Sequence, residues 1–287
     1  MQTRSIGGRQ VSAIGLGGMP MSIEGRPDRQ RSLDTIHASL DAGVTFIDTA
    51  DAYHWHGDEV GHNESLIAEA LSTWGGDSDA ILVATKGGHL RPGDGSWTID
   101  SSPAHLKEAA QASVKRLGVE AIGLYQLHRP DVNVPYAESV GAIAELLDAG
   151  TIQMAGISNA NPDMIREAQE VLGGRLVSVQ NQFSPSYRSS EPELRLCVEL
   201  GIAFLPWSPL GGIGSAADLG STAQAFADVA SEVGATPQQV ALAWQLALSP
   251  QVVPIPGSSR PETARASAEA VNVTLSSEQV ERLSAAG

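Results

Sequence analysis

The chain has 287 residues, 42% of them hydrophobic and 18% charged. That is enough apolar material for a sizeable core, and with Gly 30 and Pro 16 at roughly 16% of the chain, below the ~25–30% of low-complexity sequences, a disordered, collagenous or coiled-coil chain is ruled out. Thirty-three acidic residues against 18 basic ones leave a net charge of −15, which repels phosphate backbones and anionic lipid headgroups, so no nucleic-acid and no membrane partner is expected. The single cysteine, Cys197, excludes an internal disulfide. No basic start with a following apolar stretch marks a signal peptide. The most apolar run, 240–248, is far short of the ~20 residues that span a bilayer. The expectation is a cytoplasmic monomer with one domain over residues 1–287.

Taken in chain order, the sequence opens with a hairpin pattern. Arg4-Ser5-Ile6 and Gln10-Val11-Ser12 flank the turn pair Gly7-Gly8. Short β-branched runs then alternate with longer segments of helical period. The pairs are strand 13–15 with helix 29–42, strand 45–48 with helix 64–71, strand 80–86 with helix 103–117, and strand 122–128 with helix 136–149. They continue as strand 152–158 with helix 162–171, strand 177–180 with helix 192–200, strand 203–207 with helix 237–249, and strand 252–255 with helix 261–270. Five of these helices begin with proline, whose fixed φ and missing N–H suit the first helical position. Ser102, Asn161 and Thr236 precede three of them as N-caps. Gly43, Gly118, Gly150 and Gly201 stand where helices should stop. Eight such units predict an α/β fold, a (β/α)8 TIM barrel, with the hairpin capping its N-terminal mouth and a C-terminal helix. Segments 54–63, 90–101 and 211–224 exceed the repeat. They lie as loops at C-terminal strand ends, where barrel enzymes place their sites.

Four chemically distinct side chains fall at those ends. Asp48 closes the second predicted strand and Tyr53 follows five positions later; Lys86 closes the third and His128 the fourth. A tyrosine with an ordinary pKa near 10 is a poor acid at neutral pH. A nearby ammonium is expected to lower that value, and a buried carboxylate to hold the ammonium. A histidine can orient a carbonyl oxygen. Together they suit protonation of an oxygen as it gains negative charge, which carbonyl reduction by hydride requires. His54, His56 and His62 lie on an irregular loop without cysteine, and no metal is expected.

Seven segments, in order, resemble the aldo-keto reductase family: Asp48-Thr49-Ala50-Asp51-Ala52-Tyr53, Thr85-Lys86-Gly87, Gln126-Leu127-His128-Arg129-Pro130-Asp131, Gly156-Ile157-Ser158-Asn159, Val179-Gln180-Asn181-Gln182-Phe183, Pro206-Trp207-Ser208-Pro209-Leu210 and Pro254-Ile255-Pro256-Gly257-Ser258. The resemblance implies an oxidoreductase that reduces aldehydes or ketones with NADP(H), with NAD(H) as the second choice. An NAD(P)-dependent sugar or alcohol dehydrogenase is the alternative, and a cofactor-sensing regulatory subunit is the reading from another class. It implies Tyr53 as general acid, supported by Lys86 and Asp48, with His128 orienting the carbonyl. It implies Ser158, Asn159 and Gln180 on the nicotinamide carboxamide and Trp207 against its ring. Ser208, Leu210 and Gly211 would lie along the pyrophosphate, and Gly257, Ser258, Ser259 and Arg260 at the remaining phosphate. His54, Trp55 and Trp97 are expected to meet the small-molecule carbonyl substrate. Two departures from the family pattern stand out. Ala266 and Ser267 occupy the positions of an acid–Asn pair that contacts adenosine, and Thr263 stands where some members carry a base. Few residues follow the last helix, so a more open pocket is expected.

Overall fold

The computed structural model describes residues 1–212 and 214–286. An antiparallel hairpin, β1 (Thr3–Ile6) and β2 (Arg9–Ser12), comes first. Seven parallel strands follow: β3 (Leu16–Gly17), β4 (Phe46–Asp48), β5 (Leu82–Gly87), β8 (Leu124–Leu127), β9 (Ala155–Ser158), β10 (Leu176–Gln180) and β11 (Ala203–Phe204). They pair in chain order in one sheet. Helices α1 (Arg29–Asp41), α2 (His62–Thr73), α3 (Pro103–Leu117), α4 (Tyr136–Asp148), α5 (Pro162–Val171) and α6 (Glu191–Leu200) alternate with them. After β11 come α7 (Leu219–Thr222), α8 (Gln224–Val233), α9 (Pro237–Leu248), α10 (Pro261–Glu269) and α11 (Ser277–Ala285), the C-terminal helix.

The expected eighth strand is present as a partner without a full ladder. Residues 252–257 lie between β11 and β3. Val253 and Ile255 donate to the carbonyls of Phe204 and Pro206, at 2.9 and 3.2 Å. On the other side the carbonyls of Pro254 and Pro256 accept from Gly15 and Gly17, at 2.9 and 3.0 Å. Residues 254 and 256 face β3, and because both are proline they bring no N–H to it. The barrel therefore closes through half of a normal register. The first strand forms at Leu16–Gly17 and not at 13–15; Ala13 and Ile14 are buried but pack against Leu242 and Val271 outside the sheet.

The capping expectations hold. The Ser102, Asn161 and Thr236 side chains each accept from the backbone N–H three residues on. Gly118 and Gly201 end their helices in the left-handed conformation. Inside the barrel, Phe46, Leu82, Leu124, Leu205 and Val253 form a core that Ile6 and Val11 of the hairpin cover from below. The hairpin thus seals the N-terminal mouth and leaves the C-terminal mouth for chemistry. Two elements lie where loops were expected. A short hairpin, β6 (His89–Leu90) with β7 (Thr98–Ile99), forms in segment 90–101. Helix α7 lies within segment 211–224, whose Ile213 is outside the described residues. Among the described residues no helix is long and apolar enough to cross a membrane.

Candidate active site

The four predicted side chains meet at the open mouth. Lys86, fully buried in β5, donates to Asp48 Oδ2 at 2.6 Å, to the Thr49 carbonyl at 2.8 Å and to Tyr53 Oη at 3.0 Å. All three ammonium protons are thereby placed. Asp48, at the end of β4, also accepts from Gln180 Nε2 at 2.7 Å and Gln126 Nε2 at 3.4 Å through Oδ1. Burial works against the Lys86 charge, but the attraction of Asp48 and Tyr53 outweighs it and holds the ammonium above its ordinary value. The expected lowering of the Tyr53 pKa is not found. Burial pushes the phenol up, and the pull of Lys86 offsets only part of that. The phenol therefore keeps its proton while the site is at rest.

The His128 ring meets that of Tyr53 edge-on at 5.7 Å. Burial, reinforced by Lys86, pushes its pKa well below the usual histidine value, so the imidazole is neutral. Its Nδ1 is buried without a hydrogen-bond partner among the described residues, which leaves Nε2 for the cavity.

Local structure holds the Tyr53 loop. Asn63, at the start of α2, accepts from Thr49 Oγ1 at 2.6 Å, donates from its amide to the Gly18 carbonyl at 2.9 Å, and donates its backbone N–H to the Tyr53 carbonyl at 3.2 Å. Beside it the buried Glu64 accepts from Thr85 Oγ1 and from Arg116 Nε, each at 2.5 Å. Asn63, Glu64 and Gln126 were not singled out from the sequence. Their signal was their place at a helix start and beside strand-end residues.

Above the tetrad opens a cavity of about 570 Å³. Its lining includes Ser158, Asn159, Gln180 and Trp207, and also Met19, His89, Trp97 and Arg129. Ser158 donates to the Gln180 carbonyl, and Asn159 donates to the His128 carbonyl and to Ser158 Oγ, at 2.7, 2.9 and 2.9 Å. Asn159 and Ser208 are the described non-glycine residues with positive φ, 57° and 50°. Such strain persists where surrounding contacts over-determine it, and here it borders the cavity. Leu210, Ser208 and Gly257 line the cavity, whereas Gly211, Ser258, Ser259 and Arg260 are not among its lining residues. The Ser258 hydroxyl is engaged by Thr263 Oγ1 and the Arg260 carbonyl. Trp97 reaches the cavity, stacked on His89 at 4.6 Å. His54 and Trp55 do not. His54 is buried behind the loop with Nδ1 on the His56 carbonyl, and Trp55 stacks outside on His56.

The family model described as the aldo/keto reductase family matches residues 13–287. The chain belongs to the aldo/keto reductase family. It is 35% identical to an uncharacterized oxidoreductase of Schizosaccharomyces pombe, with 99% of this chain and 90% of that protein covered. It is 32% identical to pyridoxine 4-dehydrogenase of Escherichia coli, over 98% and 96% of the two chains. An aldo/keto reductase of Klebsiella pneumoniae, solved in complex with NADP and acetate, superposes with a TM-score of 0.82 at 26% identity, over 99% and 94%. This aldo/keto reductase is thus an oxidoreductase of a family that uses a nicotinamide cofactor, built on the (β/α)8 fold.

Proposed function

We propose that the protein reduces aldehydes or ketones to alcohols with NADPH, Tyr53 acting as the general acid. The observation that carries this reading is the Lys86 ammonium held between Asp48 and Tyr53 beneath an open cavity. A substrate carbonyl above Tyr53 and His128 would take a hydrogen bond from each. Tyr53 gives up its proton to the carbonyl oxygen as charge grows there, and Lys86 stabilises the phenolate left behind. His128, held neutral, orients the carbonyl without competing for that proton.

The cavity fits a nicotinamide. Trp207 offers a flat wall, and Ser158, Asn159 and Gln180 offer a polar edge. The Gln180 amide nitrogen is taken by Asp48, so its Oε1 is the atom left to accept from a carboxamide N–H. When bound, the cofactor supplies the hydride. Arg260 is exposed just before α10, where the helix N-terminus also favours anions. With Ser259 it supports a 2′-phosphate and hence NADPH over NADH, as does the NADP held by the Klebsiella relative. Gly257, Ser208 and Leu210 would border the bound cofactor on the cavity side.

Tyr53→Phe is the test. It should cut kcat by at least about 10²-fold, the scale of one acid–base catalyst, and leave NADPH quenching of tryptophan fluorescence in place. A Phe variant that retains full turnover would remove Tyr53 from the acid role.

A further inference from the structure

The bottom of the cavity is electrically balanced, since Asp48 and Lys86 offset each other. Its mouth is not. Arg129, directly after His128, lines the same cavity and is half-buried. Its side chain takes part in no hydrogen bond or ion pair among the described residues; its backbone carbonyl alone is engaged, accepting from Ser101 Oγ at 2.7 Å. The carboxylate of Asp131, two residues on, is engaged elsewhere, accepting from the backbone N–H groups of Ser101 and Asn133 and from the Asn133 amide. Among the described lining residues only Asp48 and Arg129 carry a formal charge. Three other partly or fully buried arginines are matched: Arg26 with Glu59, Arg91 with Glu24, Arg116 with Glu64. In a chain of net charge −15, a guanidinium at the reaction cavity with no ion-pair partner among the described residues is set for an anion from outside the chain.

We propose that Arg129 is a specificity residue that pairs with a carboxylate on the substrate, so that the preferred substrates are carbonyl compounds bearing a carboxylate. The inference rests on the reductase reading above and narrows it. A guanidinium presents two parallel N–H donors that match a carboxylate. It also brings one positive charge. A phosphate monoester, at close to two negative charges, would leave one unmatched in an acidic protein. The lining of the same cavity includes the stacked His89 and Trp97, with Ile99 paired to His89, a flat surface suited to an aromatic or extended body.

The test compares 4-carboxybenzaldehyde with 4-formylbenzamide, a pair alike in shape and different in charge, in the wild type, Arg129→Gln and Arg129→Lys. The wild type should favour the acid by about tenfold or more in kcat/KM, and added salt should shrink that ratio. In Arg129→Gln the ratio should fall to near one through a higher KM for the acid, with NADPH quenching of tryptophan fluorescence unaltered. Arg129→Lys should recover part of the preference. A wild type indifferent to the charge overturns the proposal. So does an Arg129→Gln variant that weakens both aldehydes equally, or one that loses NADPH affinity, which would place the guanidinium on the cofactor. A stronger preference for glyceraldehyde 3-phosphate over glyceraldehyde than for acid over amide overturns the choice of carboxylate. If neither benzaldehyde is turned over by any variant, the reductase reading falls and takes the proposal with it.

Discussion

Replacing Lys86 by methionine tests the centre of the site. The ammonium lies 3.0 Å from the Tyr53 oxygen. At an effective dielectric of ~20, one charge at that distance stabilises a fully formed phenolate by about 5.5 kcal/mol. The transition state carries only part of that charge, and Asp48, 2.6 Å from the ammonium, cancels some of the field. About half of the full value is therefore the expected loss, and at ~1.4 kcal/mol per decade kcat should fall by about 10²-fold, with 10⁴-fold as the ceiling. Lys86→Met alone would strand a buried carboxylate at a cost of about 3–5 kcal/mol in stability. The informative variant is thus Lys86→Met combined with Asp48→Asn, which removes both charges and keeps the amide contacts at residue 48. Single-turnover decay of NADPH absorbance reads the chemical step, and urea unfolding checks the fold. A folded double variant with kcat within threefold of wild type would refute the assigned role of the ammonium.

Two further outcomes follow from groups around the tetrad. Asp51, on the Tyr53 loop, has its carboxyl pushed up to about 8 by burial first and by the neighbouring Glu64 second. Its folded value exceeds its unfolded one of ~3.9, so its contribution to stability is complete below about pH 4 and drains away, at ~1.4 kcal/mol per pH unit, until about pH 8. Urea midpoints at pH 5 and pH 9 should show the wild type losing more stability than Asp51→Asn; parallel losses would exclude this ionisation. Gly17→Ala places a Cβ 2.9 Å from the Ile255 carbonyl and 3.2 Å from Gly257 Cα. The crowding should cost about 1–3 kcal/mol, and an unchanged denaturation midpoint would show that the closure yields more easily than its geometry implies.

Much of this architecture was legible because its signals are local. Proline at the first helical turn, Ser, Asn or Thr before it and glycine after the last turn mark a helix without reference to any partner. The convergence of Asp48, Tyr53, Lys86 and His128 was legible because barrel topology brings strand-end positions to one mouth. What escaped depends on contacts across the chain. The β6–β7 hairpin is two residues long on each side, and its Trp97 packs on His89; neither strand has a period to read. His89 and Arg129 escaped as cavity residues because one lies past a strand end and the other behind the more conspicuous His128. Helix α8 escaped although Phe226, Val229, Ala230 and Val233 carry a clear helical spacing. The Tyr53 pKa went the other way because spacing reveals the neighbouring cation but not the depth of burial, and burial decides its sign.

The proline-bearing seam between β3 and residues 252–257 has a consequence for assembly of the chain. That segment docks against partners about 240 positions earlier, the kind of distant contact that forms slowly. Until it docks, an apolar stretch stands ready to pair with any passing strand. Pro254 and Pro256 disarm one of its sides by removing the N–H groups that a stranger would need for a regular ladder. Gly15 and Gly17 can still reach it, because they need only its carbonyls. The half-register that leaves the closed barrel short of hydrogen bonds thus protects the unfinished one from aggregation.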